Sequence, residues 1–365
     1  MNTNINAKRH IYVDLIRCIA CILVVLVHVS AIDLKFYPIA TCEWDFSNIM
    51  NCLGINGVPL FFMISGALIL NEKYEISIKK LIIGKALPLL LVYYLTLSIY
   101  NLIPFLKGWV PWELYIIKEE LLEAVIYGEG VYHLWFIPII LVLYLLVPIL
   151  KDAFKLKRIC EYYLILFLVV GILIPTLLLL ELPGPMRRFF TYYQEKTSLF
   201  MLSGYIGYFV LGHYLHTFTK GLSKRKLLAV WIIFIVSFSA TVLGCRYQSF
   251  TTGYTSSLFN TPLSLNVFLS SSGFYLLLKH YGSKIESRNL SSILGFFAKF
   301  TLGIYLFHPL VLENISIIND LNKILPNVVI CMLARLLIVV VLTFVMVFSF
   351  KLIFKRIKRS EKKIC

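Results

Sequence analysis

The sequence predicts an all-α polytopic membrane protein with about ten transmembrane helices and both termini cytoplasmic. Three observations carry this. Of 365 residues, 59% are hydrophobic and only 15% charged, a composition far from that of ordinary soluble domains. Apolar runs near the roughly 20 residues needed to cross a bilayer recur along the whole length. Charge alternates from one connection to the next. With the N-terminus placed inside, one set of connections and both ends hold most of the 35 Lys and Arg against 6 acidic residues. The opposite set, span edges included, holds 8 basic and 12 acidic residues, as the positive-inside rule expects.

The expected spans cover about 12–30, 49–70, 81–103, 132–150, 162–181, 199–217, 228–244, 258–280, 293–313 and 328–350. Lys8-Arg9 before the first span and Val29-Ser30-Ala31 at its end resemble a secretory signal. Asp14 and Arg17 would interrupt the apolar region of such a signal, so the segment reads as a retained signal anchor. Segment 31–48 reads as an outer loop carrying Asp33, Glu43, Trp44 and Asp45. Lys79, Lys80 and Lys85 precede Pro88 at the start of the third span. In segment 104–131, opened by Pro104 and Pro111, Leu114, Ile117, Leu121, Leu122 and Val125 recur at helical spacing opposite Lys118, Glu119, Glu120 and Glu123. That pattern describes an interfacial amphipathic helix. The last span ends in a basic tail, Lys351, Lys355, Arg356, Lys358, Arg359, Lys362 and Lys363, suited to anionic headgroups. Connections are short, so one membrane domain over 1–365 is expected, without internal repeat.

The net charge of +16 does not indicate nucleic-acid binding, because no basic face with interleaved stacking aromatics appears. Cys18 and Cys21 form a C-x-x-C on a membrane helix, a poor redox context. Cys42, Cys52 and Cys245 could meet in the outer compartment, which leaves a disulfide open. No Cys/His grouping has zinc spacing, so no metal is expected.

Ionisable groups inside the apolar runs carry the functional signal. Asp14, Arg17 and His28 lie in the first span. Eleven residues separate Arg17 from His28, which at roughly 100° per residue returns both to one helical face, about 16 Å apart along the axis. Asp14 is the nearest internal anion for Arg17. Such groups in a membrane helix mark a site by default. His133 and Trp135 open the fourth span, where Trp135 also reads as an ordinary interfacial aromatic. His308 ends the ninth span in Thr301-Leu302-Gly303-Ile304-Tyr305-Leu306-Phe307-His308-Pro309, with Thr301 on its face. Three histidines from three spans thus fall at similar depth, where imidazole suits proton transfer. Lys85 reads either as a membrane-face anchor or as a contact for a phosphorylated ligand. Arg335, in the last span, needs a partner the sequence does not name.

At these residues the chain resembles acyltransferase family 3, the integral-membrane acyltransferases. The stretches are YVDLIRCIACILVVLVH (12–28), GVPLFFMISGALI (57–69), YHLWFIPIILVLYLLVPIL (132–150) and TLGIYLFHPLV (301–311). Arg17 and His28 match the family's Arg-x10-His spacing. Within the family, CEWDFSNIMN (42–51) running into VPLFFMISG is similar to the enterobacterial common antigen O-acetyltransferase type. The basic motif after the second span departs, with Lys79, Lys80 and Lys85 where the family is often arginine-rich.

The resemblance implies acetyl transfer from cytoplasmic acetyl-CoA to a hydroxyl of an envelope glycan or its lipid-linked sugar precursor, in a bacterial inner membrane. It implies His28 and Arg17 as the essential pair; the residue pattern itself suggests Asp14 holding Arg17, and His133, Trp135, His308 and Lys85 as substrate contacts. His28 then acts either as general base or as an acyl acceptor. Two other readings stay open: a transporter or flippase, motivated by the same buried charges, and the same family moving another acyl group.

Overall fold

The structure is a computed structural model that describes residues 10–71, 77–127, 131–180, 182–197, 204–315, 318, 320–325 and 327–364. Side chains are defined there except at 114, 120–121, 124–127, 193–197 and 354–364. Among the described residues every regular element is a helix. In chain order they are α1 (Ile11–Phe36), α2 (Cys42–Gly54), α3 (Gly57–Ile69), α4 (Ile78–Leu106), α5 (Leu114–Tyr127), α6 (Phe136–Ala153), α7 (Lys157–Leu179) and α8 (Gly184–Thr197). Then follow α9 (Ile206–Thr217), α10 (Lys224–Thr252), α11 (Leu265–Gly282), α12 (Arg288–Phe297), α13 (Thr301–Asn314), α14 (Leu321–Ile324) and α15 (Val328–Ile364).

Each of the ten expected spans coincides with a helix, although not all are long straight rods. Among the described residues, seven stretches are long and apolar enough to cross a bilayer: α1, α2 with α3, α4, α6, α7, α10 and the Val328–Ile353 part of α15. The expected ninth span is α12 followed by α13, bent by 56° between them. The sixth and eighth correspond to the shorter α9 and α11. Two edges move appreciably. Helix α1 continues through Asp33 to Phe36, and α2 begins at Cys42, so the expected 31–48 loop is mostly helical. Thr41 caps α2, accepting from the Trp44 amide at 3.2 Å, with Glu43 and Asp45 in its first turn.

The residues gather into two compact units, Met1–Ala67 with Cys160–Cys365, and Leu68–Ile159. In the second unit α4 packs against α5 and α6. Ile137, Ile140, Leu143, Val147 and Leu150 form the buried stripe of α6, at alternating three- and four-residue steps. Pro104 and Pro111 flank the approach to α5, which forms where the amphipathic pattern places it. Its Ile117 is half-buried and Leu122 exposed, whereas Leu114, Glu120, Leu121 and Val125 fall outside the described side chains.

The first unit is built around α1, which packs against α2, α11, α12, α13 and α15. Small residues allow this closeness. A Cβ on Gly54 would lie 2.9 Å from the Leu23 carbonyl, and one on Gly57 2.8 Å from the Ala20 carbonyl. On α3 and α9, Gly66 and Gly212 sit against the backbones of Phe209 and Met63, so those helices cross almost in backbone contact. Helix α10 is amphipathic in the sense opposite to that of a soluble helix. Ser237, Thr241, Cys245 and Ser249 form its buried face at four-residue steps, while Ile232, Ile235, Val236 and Leu243 are exposed. Apolar-out, polar-in packing is what a lipid solvent selects, because inter-helix contacts there rely on close packing and hydrogen bonds.

The cysteines pack rather than bridge. Cys42, Cys52 and Cys245 are free; Cys42 is exposed, and Cys52 donates to Asn48 Oδ1 at 3.5 Å. Cys18 and Cys21 donate to the Leu294 and Thr301 carbonyls, each at 3.7 Å, tying α1 to the two halves of the broken span.

Arg335 finds its partner in Asp33. Nη1 lies 2.6 Å from Oδ1, and both side chains are 0% exposed. Nε donates to the Ile318 carbonyl at 2.9 Å, Nη2 to Asn322, and Asn322 Nδ2 to Asp33 Oδ1 at 2.8 Å. Removing one partner leaves a buried charge uncompensated. Asp33→Ala or Arg335→Ala is therefore expected to cost about 3–5 kcal/mol, while Asp33→Leu with Arg335→Met recovers most of it. Thermal unfolding in detergent measures both; equal losses in single and double variants would show the pair does not hold the helices.

Candidate functional site

The site begins on α1. His28 faces His308 of α13, with ring centroids 5.1 Å apart and planes tilted by 38°. These residues are 280 positions apart in sequence, and the α1–α13 packing brings them together. His308 is fully buried, and its Nδ1 lies 2.8 Å from the Tyr305 carbonyl and 3.1 Å from that of Ile304. A carbonyl can only accept, so Nδ1 carries the proton and Nε2 is the basic nitrogen. Thr301, two turns earlier on α13, is also buried, its hydroxyl donating to the Ala298 carbonyl at 3.1 Å across the bend.

A polar belt steadies α1 beside His28. Asn51 of α2 donates to the Val27 carbonyl at 2.9 Å and to Ser30 Oγ at 3.0 Å, and Asn260 donates to Asn51 Oδ1 at 2.8 Å. Ser30 Oγ donates back to the Leu26 carbonyl at 2.7 Å, competing with the helix's own ladder. At the break between α2 and α3, Asn56 is fully buried and accepts from Ser270 and Ser271 of α11 at 2.8 and 2.7 Å. Single asparagines in the expected 49–70 run were the sequence signal for this belt. Polar side chains in apolar surroundings must be paired.

Arg17 lies eleven residues before His28, half-buried. Among the described residues nothing gives it an ion pair or hydrogen bond. The expected Asp14–Arg17 ion pair is not formed. Asp14 is turned into the packing at 4% exposure, and a three-residue step sets the two side chains about 60° apart around the helix. Arg17 thus presents a guanidinium without an ion pair or hydrogen bond among the described residues.

The other expected contacts belong to the second unit. His133 is buried beside Tyr100, ring centroids 5.2 Å apart, and next to Tyr132 at 5.6 Å. Trp135 is 39% exposed at the N-terminal end of α6. Lys85 is exposed, on a π-helical turn Ile82–Ala86 inside α4; Lys79 and Lys80 are exposed on the turn before it. No group of three His, Cys, Asp or Glu among the described residues is placed to hold a metal ion.

Long apolar helices, with His28 of α1 facing His308 of α13 and Arg17 on the same helix as His28, define a multi-pass membrane protein with a polar site in its first unit. The family model for the acyltransferase family 3 domain, described as "Acyltransferase domain", matches residues 10–353, and the chain belongs to that family. No curated protein and no solved structure matches it.

Asn51 links three partners at the level of His28. Asn51→Leu is expected to lower stability by about 1–3 kcal/mol, because the Asn260 amide and Val27 carbonyl lose their buried partner. Thermal unfolding in detergent checks this, and an unchanged midpoint would remove the belt from the account of how α1 is held.

Proposed function

We propose that this acyltransferase moves acetyl from cytoplasmic acetyl-CoA to a hydroxyl of an envelope glycan or its lipid-linked precursor, in a bacterial inner membrane. The observation that carries the reading is the facing pair His28–His308, with His28 on the helix that presents Arg17 without an ion pair among the described residues. Donor phosphates approach from the side where the positive-inside bias places the cytoplasm. The flexible arm of the donor then passes Arg17 and brings its thioester to His28.

Two routes share the same histidine. In the first, His28 takes the proton of the acceptor hydroxyl as its oxygen attacks the thioester carbonyl; the C–S bond breaks and the thiolate leaves. In the second, a His28 nitrogen attacks the carbonyl, the thiolate leaves, and the acyl group passes to the hydroxyl in a second displacement. The basic Nε2 of His308 suits it to hold the His28 ring or the acceptor hydroxyl by accepting a hydrogen bond. Asp14 is proposed to shape the packing behind Arg17.

Incorporation of labelled acetyl from acetyl-CoA into extracted glycan tests the reading. His28→Ala is expected to reduce incorporation at least about 100-fold with protein still in the membrane, and Arg17→Ala to reduce it by raising the donor requirement. Full incorporation by His28→Ala would overturn both routes. Solute flux without consumption of acetyl-CoA would favour the transporter reading.

A further inference from the structure

A second basic feature lies in the first unit, away from the His28–His308 pair. The connection between α9 and α10 and the last turn of α11 enclose a cavity of 420 Å³. Its lining includes Thr219, Lys220, Lys279, His280, Ser283 and Lys284. Four of these are basic and two are hydroxyls; no carboxylate lines it. Volumes of this order fit small-molecule sites.

The wall is built rather than casual. Lys279 reaches from α11 to the end of α9, donating to the Leu215 carbonyl, to Thr219 O at 3.0 Å and Thr219 Oγ1 at 3.1 Å. These carbonyls solvate its ammonium but do not neutralise it, and among the described residues it makes no ion pair. His280 Nε2 is buried without a hydrogen-bond partner among the described residues. Lys220 and Lys284 are exposed at the rim. Both connections fall on the side the charge bias assigns to the cytoplasm.

The cavity is also tied to the Arg17 end of α1. Tyr12 hydrogen-bonds His216 of α9, and a Cβ on Gly282 would lie 2.8 Å from Tyr12 Cβ. Tyr12 precedes Arg17 by five residues, roughly 7.5 Å along the helix.

We propose that this cavity is a phosphate site that holds the nucleotide end of the acyl donor, with Lys220, His280 and Lys284 contacting phosphate oxygens and Lys279 supplying fixed charge behind them. The proposal rests on the acetyl-CoA reading above and shifts the phosphate contact from Lys85 to this cavity. A lipid headgroup presents the same phosphate chemistry, and the test separates the two sources.

Binding of adenosine 3′,5′-bisphosphate is measured on the purified full chain in phospholipid-free detergent, beside the KM for acetyl-CoA. The Lys220→Glu/Lys284→Glu variant is compared with Lys226→Glu, an exposed lysine outside the cavity lining. The expected result is binding by wild type and Lys226→Glu, loss of binding in the double variant, and an acetyl-CoA KM raised about tenfold. With 3′-dephospho-acetyl-CoA as donor the difference between variant and wild type is expected to shrink. Unchanged binding and KM in the double variant, while the wild type consumes acetyl-CoA, overturns the site and leaves the donor reading standing. A wild type that neither binds the bisphosphate nor consumes acetyl-CoA overturns both. Absent bisphosphate binding together with wild-type-only retention of phosphatidylglycerol overturns the nucleotide assignment in favour of lipid.

Discussion

The pair Asp33–Arg335 has no exposed surface, and neither residue could enter a bilayer interior alone. Each makes the other's burial tolerable, and together they fix the C-terminal end of α1 to the start of α15. The rest of the first unit depends on that, because α1 touches most of its other helices and carries both Arg17 and His28. At its other end Tyr12 is hydrogen-bonded to His216. Between the two ends, Gly54 and Gly57 bring the α2 and α3 backbones against it, and Asn51 grips the carbonyl just before His28. A helix held at three levels presents its side chains at fixed heights, as positioning of reacting groups requires.

Polar groups at the helix breaks of this unit pair with one another. Asn56 sits where α2 gives way to α3 and accepts two serine hydroxyls from α11. Its own amide returns to the Leu53 carbonyl at 3.0 Å, satisfying backbone that the helix break exposes. The same logic applies to the second break. Cys18 and Cys21 bond the carbonyls of Leu294 and Thr301 on either side of the bend between α12 and α13. Non-helical backbone at membrane depth persists only where protein groups satisfy it. The α12–α13 bend sets the start of α13 against α1, and two turns further His308 meets His28.

Much of this was legible in the sequence, for a physical reason. A bilayer demands long apolar runs, so each expected span met a helix, and it penalises charge, so Arg17, His28, His308 and Arg335 stood out at once. What could not be read is pairing across distance. Asp33 looked like a loop residue because a carboxylate at the end of an apolar run usually marks its exit; only its partner 302 residues away keeps it inside the helix. Asp14 looked like the partner of Arg17 because sequence shows proximity along the chain and not the direction of a side chain. Thiols at Cys18 and Cys21 carried a motif's spacing, yet their role is to hydrogen-bond carbonyls of another span. The Asn51–Asn260 and Asn56–Ser270 links left only scattered polar letters in apolar runs.

The two intramembrane arginines of the first unit make the sharpest comparison. Arg335 is wholly buried and surrounded by Asp33, Asn322 and the Ile318 carbonyl, so its charge is consumed in holding helices together. Arg17 is half-buried, with no ion pair or hydrogen bond from the described residues, and the nearest carboxylate along its helix turns away. Among the described residues structural need explains the first and not the second, since a half-buried guanidinium without an anion costs stability that a shorter or apolar side chain would not. The cost is offset when an anionic ligand arrives from outside the chain. Arg17 lies between the basic cavity by Tyr12 and the facing imidazoles of His28 and His308. Under the proposed reading, the order of groups along α1 would run from charge recognition to proton transfer, in the direction a phosphorylated acyl donor travels.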